Sequence, residues 1–370
     1  MRRRVLGGVL LTLGWTTAAW AQFDMSVVSP EVHADRRVTF RLRAPEAAAV
    51  TVVAVENHPP APMTKSGEGV WSVTIGPLAP AIYSYAFQIG GATVTDPRNP
   101  RVKVWLTSNS MVEVPGTPPR ATELQNLPHG AVHHHLYRSS ALDETRGLVV
   151  YTPPGYESTG GSRYPVLYLL HGFGDNQRAW TDVGRAPVLA DNLIAAKRTV
   201  PLVIVMPYGH GVPPSQAGRN TPGRDLNNER FLADLEKDVM PLVERIYRVE
   251  VSPERRAIAG LSMGGGQALM LALKRQDLFR WAGAFSAGVP EGDPSALFAG
   301  AAAAPSEYNE KQRLLWIGCG KGDFLFEANR RLNAWLTKTG LQHEYLVTEG
   351  AHTWLVWRDY LETLLEKLFR

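Results

Sequence analysis

The segment Gly260-Leu261-Ser262-Met263-Gly264 sets a serine between two glycines, and Gly265 and Gly266 follow directly. A serine hydroxyl becomes a useful nucleophile only when a neighbouring base takes its proton during attack. The glycines matter sterically, because without a Cβ on either side of a sharply turned serine a strand and a helix can approach closely. The flanking sequence suits that turn: Arg256–Ala259 reads as a strand and Gln267–Gln276 as a helix. A bare G-x-S-x-G pentapeptide is common. Set between a strand and a helix, it predicts Ser262 as a nucleophile at the carboxyl edge of a sheet, near the positive end of the helix dipole.

The partners such a serine needs are sought after later strands. Tyr345-Leu346-Val347 reads as a strand and leads into Glu349-Gly350-Ala351-His352. A final helix then places Leu355, Leu361, Leu364, Leu365 and Leu368 on its buried side. His352 is therefore the predicted general base. Leu314–Ile317 leads into Gly318-Cys319-Gly320-Lys321-Gly322-Asp323, an acid on a glycine-rich loop beyond a strand's end. Its carboxylate would fix the imidazole tautomer and stabilise the imidazolium, although an aspartate there can also cap a helix. Asp225 is the weaker candidate for this role. The order Ser, Asp, His is that of α/β-hydrolases. Two backbone N–H groups are expected to hold the oxyanion, those of Met263 and of Phe173 in His171-Gly172-Phe173-Gly174-Asp175. Such donors are each worth about 2.7–4 kcal/mol. His171 itself reads as structural.

Two kinds of pattern surround these residues. From 24 to 114 the chain alternates with period two in short runs, among them Val38–Leu42, Val50–Val55, Val70–Ile75 and Ile82–Phe87. That predicts a small all-β, immunoglobulin-like sandwich. Pro115-Gly116-Thr117-Pro118-Pro119 marks a composition break, and 115–129 is assigned as linker. From 130 to 370 strands alternate with helices, which predicts an α/β domain with a mostly parallel sheet. Phe231, Leu235, Val239, Leu242 and Ile246 are spaced as one helix face, with Pro241 expected to kink or restart that helix.

The segment Tyr83–Gly91 with Asp96-Pro97-Arg98-Asn99-Pro100 resembles early-set domains of glycogen branching and debranching enzymes. That resemblance makes residues 24–114 a candidate carbohydrate-binding module, with Trp71, Tyr83, Tyr85 and Trp105 as candidate stacking rings. His171–Asn176 with Trp180, Val205–His210, Gly260–Leu269 and Gly350–Arg358 resemble the esterase-D and feruloyl-esterase group of family-1 carbohydrate esterases. The resemblance covers about 130–370. It implies hydrolysis of feruloyl or acetyl esters on plant cell-wall polysaccharide, chiefly arabinoxylan, without metal or cofactor. Two positions depart from the usual pattern: Ala351 replaces a second glycine, and Thr353 stands where an acid often follows the histidine. Asp175, Trp180, Gln267 and Trp354 are candidates for lining the substrate cleft. Other readings of the same fold are an acyltransferase or a siderophore-ester hydrolase. A non-catalytic glycan-binding protein is the alternative from another class.

Residues 1–21 open with Arg2, Arg3 and Arg4, continue apolar to Trp15 and end Ala19-Trp20-Ala21. These are the parts of a cleavable secretory signal, with an apolar run too short to span a bilayer. Without those arginines the formal charge falls from +4 to +1, which removes the case for a nucleic-acid partner. A secreted or periplasmic protein with no membrane attachment is expected. Cys319, the single cysteine, sits in an apolar strand and reads as packing. His133-His134-His135 lacks partners at metal-ligand spacing, so no metal is expected.

Overall fold

A computed structural model describes residues 26–158, 160–217, 222–289 and 293–370. The signal-like segment 1–21 lies outside the described residues. The N-terminal part is a sandwich of antiparallel sheets. One sheet pairs Glu31–Val32, Val38–Arg43, Val70–Ile75 and Thr64–Lys65 in that order. The other runs Ala61–Pro62, Val50–Val53, Ala81–Ile89, Asn109–Val114 and Val102–Lys103, with Ala92–Val94 also on Ala81–Ile89. Alternate residues from both sheets fill its core: Val38, Phe40 and Leu42 face Val50, Val52, Tyr85 and Phe87. Trp71, Tyr83 and Tyr85 are buried there, so they offer no face to a sugar. Trp105 alone of the four is exposed.

The second unit is built on eight strands: β1 Ala131–Ser139, β2 Glu144–Thr152, β3 Val166–Leu170, β4 Val203–Pro207, β5 Arg256–Leu261, β6 Trp281–Phe285, β7 Leu314–Gly320 and β8 Glu344–Thr348. Their order is β1-β2-β4-β3-β5-β6-β7-β8; β1, β2 and β4 pair antiparallel and the rest parallel. This is the expected α/β fold. Six helices concern the site: α1 Ala186–Ala195, α2 Pro222–Asp234, α3 Met240–Ile246, α4 Met263–Lys274, α5 Phe326–Thr339 and α6 Trp354–Lys367. A sheet buried on both faces needs apolar residues on both sides of each strand. In β3, Val166, Tyr168 and Leu170 join the core that holds residues of α2–α5, while Leu167 and Leu169 join the core on the other face with α1 and α6.

The amphipathic run before β5 differs from its predicted form. A five-residue π turn, Leu235–Val239, separates α2 from α3, and Pro241 falls in the first turn of α3. Proline lacks the N–H that would bond four residues back, and a wide turn accommodates its ring. The extra width advances the buried face by one position. Phe231, Leu235 and Val239 are buried as expected, but Val243 takes the next place and Ile246 is left exposed.

The two units pack through Ile82 and Met111, which join the core under α1 and α6. The buried Arg358 guanidinium bridges them, donating to the carbonyls of Val183 and Ile82 at 3.0 Å each. Cys319 is fully buried, and burial pushes its thiol up to about 12. Among the described residues no helix is long and apolar enough to cross a membrane. No group of three potential ligands there is placed to hold a metal. His133 and His135 bond Thr152 and Tyr247, and His134 points to the other face of β1.

Candidate active site

Ser262 occupies the turn between β5 and α4 with φ 52° and ψ −112°, a conformation that costs a non-glycine residue free energy. Three backbone bonds hold it. Its N–H donates to Phe285 O at 2.9 Å, and its carbonyl accepts from Gly266 at 2.9 Å and Gly288 at 2.7 Å. A Cβ on Gly264 would stand 2.5 Å from His171 O, and one on Gly260 2.6 Å from the Gly264 carbonyl carbon. Glycine at both places lets strand, helix and the loop after β3 close on one another.

Asp323 and His352 stand on the loops after β7 and β8. His352 Nδ1 lies 3.0 Å and 2.9 Å from the two Asp323 carboxylate oxygens. An ionised carboxylate only accepts, so Nδ1 carries the proton and Nε2 is left free to take one. Burial pushes the Asp323 carboxyl up. The hydrogen bond and charge of His352, the Leu325 N–H at 2.8 Å and the Ser286 hydroxyl outweigh it and hold the group below the usual range. Phe324, tilted, and Trp357, edge-on, pack against the imidazole at 4.5 Å and 4.8 Å between ring centroids. The histidine loop is hydrogen-bonded with Ala351 and Thr353 in place. Gly350 O accepts from Gly322 N–H at 2.8 Å, and Thr353 N–H donates to Ala351 O at 2.8 Å.

Ser262 and His352 line the same cleft, of about 1060 Å³. Among the described residues no hydrogen bond joins the Ser262 hydroxyl to His352. Catalytic bonds of this kind commonly tighten only in the substrate complex. Met263 and Phe173 line the cleft beside Ser262, and among the described residues neither N–H donates to a protein acceptor. His171 is buried and braces the loop. Its Nδ1 donates to Gly172 O at 2.8 Å, and its Nε2 accepts from Gly209 N–H at 2.8 Å. Burial holds it down at about 3, so it stays neutral.

The candidate cleft residues divide. Asp175 lines the cleft, 7% exposed, with Oδ1 lacking a hydrogen-bond partner; burial pushes its carboxyl up to about 7, opposed by the charge of Lys103. Trp354 lines it but is almost wholly buried, its ring packing edge-on 4.9 Å from Trp180. Trp180 and Gln267 do not line it. The Trp180 indole donates to Leu170 O at 2.9 Å inside the core, and the Gln267 amide donates to Gly209 O at 3.0 Å. Both side chains hold backbone in place from behind the cleft, although the buried Gln267 Oε1 has no hydrogen-bond partner. Asp225 is exposed in the first turn of α2, 3.7 Å from Arg224, and takes no part. Sequence reading missed Phe324, Trp335 and Met270 in the cleft, and the contribution of Glu56, Lys103 and Trp105 from the N-terminal module. Of these the sequence marked only Trp105, as a ring for stacking on sugar and not as part of the esterase cleft.

A mostly parallel sheet with serine at a strand–helix turn, and an acid–histidine pair on loops after later strands, defines an α/β-hydrolase. The chain belongs to the Esterase family, whose model matches residues 139–368. A model for carbohydrate-binding module 48 (isoamylase N-terminal domain) matches 27–107. The chain is 29% identical over 354 residues to an endo-1,4-beta-xylanase/feruloyl esterase of Xylanibacter ruminicola, covering 92% of this chain and 46% of that one. It thus spans less than half the length of the first curated relatives it matches. A solved ferulic acid esterase superposes with TM-score 0.55 at 26% identity, covering 65% of this chain and 98% of the other. The enterobactin esterase of Shigella flexneri superposes with TM-score 0.66 at 20% identity, covering 90% and 93%.

Proposed function

We propose that the protein is an exported serine carboxylesterase that cleaves feruloyl or acetyl esters on plant cell-wall polysaccharide such as arabinoxylan. The observation that carries this reading is the Asp323-bound His352 bordering the same aromatic-lined cleft as the strained Ser262. The likeness to a chain named for feruloyl esterase supports the choice of acyl group. Ser262 Oγ attacks the ester carbonyl carbon while His352 Nε2 takes the hydroxyl proton. The N–H groups of Met263 and Phe173 stabilise the oxyanion. As the intermediate collapses, the sugar oxygen leaves with the proton from His352 and the acyl group stays on Ser262. A water, deprotonated by His352, then attacks the acyl carbon; the acyl–Oγ bond breaks, the acid leaves, and His352 returns the proton to Ser262 Oγ. Each step is carried by groups of this chain.

Methyl ferulate, acetylated xylan and a trilactone siderophore, assayed side by side, test the substrate class. Release of ferulate or acetate with an intact trilactone is expected; turnover of the trilactone alone would refute the polysaccharide assignment. Export is part of the same reading. Amino-terminal sequencing of protein made in its own cells should begin at Gln22, and retention of Met1 in a cytoplasmic product would contradict it.

A further inference from the structure

One loop of the N-terminal module reaches the esterase cleft. Lys103 ends the short strand Val102–Lys103, Trp105 follows it, and both line the cleft with Ser262 and His352. Trp105 is 40% exposed, yet its indole Nε1–H donates to the carbonyl of Phe173 at 2.8 Å. That carbonyl belongs to the 173–174 peptide, whose N–H donates to His210 Nε2 at 3.1 Å. This plane is therefore held at both ends. The preceding peptide, 172–173, is held at its oxygen by His171 Nδ1 at 2.8 Å and by Asp175 N–H at 3.2 Å. A peptide group is planar and trans, so fixing its carbonyl fixes the direction of the N–H opposite. Clamping both peptides around Phe173 sets the aim of its N–H. The approach is close enough to demand glycine. Gly174 has φ +79°, and a Cβ there would lie 2.7 Å from both Trp105 Nε1 and Leu106 Cγ.

We infer that Trp105 is a positioning residue for ester hydrolysis: the N-terminal module helps build the oxyanion site through the Trp105–Phe173 hydrogen bond. This rests on the serine-esterase reading above. It makes the module part of the catalytic unit for every ester, with or without a sugar. A module that only held carbohydrate would alter KM on polymer and leave small esters untouched.

The test is Trp105→Phe in the full chain, which keeps a ring and removes the N–H. kcat and KM are measured on methyl ferulate and 4-nitrophenyl acetate, together with the affinity of an aryl boronic acid that forms a tetrahedral adduct on serine. Removing a whole oxyanion donor costs roughly 10²–10³ in kcat, so mis-aiming one should cost about tenfold. That loss is expected on both esters, with KM within about twofold and boronate affinity falling in parallel. Trp105→His places a ring nitrogen at the indole position and should recover part of the loss, which a purely structural role for the ring would not produce. An active wild type with unchanged kcat in Trp105→Phe, or a rise in KM alone, would overturn the inference. A wild type inactive on both esters would instead overturn the esterase reading, and this inference with it.

Discussion

His352 can act as a base only if its free nitrogen is Nε2, and the two short contacts from Asp323 to Nδ1 enforce that tautomer. Asp323→Asn removes the enforcement while keeping the shape. It should lower kcat on methyl ferulate by about 10⁴. A variant within tenfold of wild type would deny Asp323 that role. In the proposed mechanism Ser262, Asp323 and His352 act as a unit, so adding Asp323→Ala to His352→Ala should cost little beyond His352→Ala alone in single-turnover kinetics. The placement of these three was legible because each follows a strand, in chain order, on a glycine-bearing turn. Trp180 and Gln267 were misread for the opposite reason. Nearness in sequence to a motif does not say whether a side chain turns to the cleft or to the backbone behind it. Their partners, Leu170 O and Gly209 O, lie on other segments that only the folded chain brings near.

The turn between β5 and α4 depends on space as much as on bonds. At Gly264 the atom that an added Cβ would meet is the His171 carbonyl oxygen, a backbone group that cannot swing aside. Gly264→Ala should destabilise by about 1–3 kcal/mol in urea unfolding, as overpacking does. It should also lower kcat, because the displaced segment leads into Phe173. Unchanged stability would show that the approach is looser than described. The strands β3–β7 were legible as apolar runs, since the middle of a parallel sheet is buried on both faces; at the edge strand β8 the run Tyr345–Val347 marked a strand although Leu346 and Val347 are exposed. β1 was not. It is an edge strand with Val132, His134 and Leu136 exposed, and its composition carries no burial signal. The π turn at 235–239 was likewise hidden: Pro241 announced a break, but only packing decides how wide a turn absorbs it.

At the scale of the molecule, the cleft is shared between two units that the sequence presents as separate. A composition break at 115–119 says nothing of the return contact from Trp105 or of Arg358 reaching Ile82. The shared burial also leaves a pH signature. Asp175 is pushed from an ordinary 3.8 up to about 7, so folding disfavours its ionised form. That cost is absent well below the ordinary value, grows as pH rises through this window and is complete above the folded value. Asp175→Asn cannot ionise and should therefore raise the thermal midpoint over wild type near pH 8, with the difference shrinking towards pH 4. An equal shift at both would contradict burial of a titrating carboxyl.

The most direct measurement is labelling with a fluorophosphonate probe followed by peptide mass spectrometry, run on wild type and on Ser262→Ala with methyl ferulate turnover alongside. A single adduct on Ser262 is expected, with label lost and kcat reduced by something on the order of 10⁶ in the variant. An unlabelled wild type, or a variant retaining a tenth of the activity, would contradict Ser262 as the nucleophile.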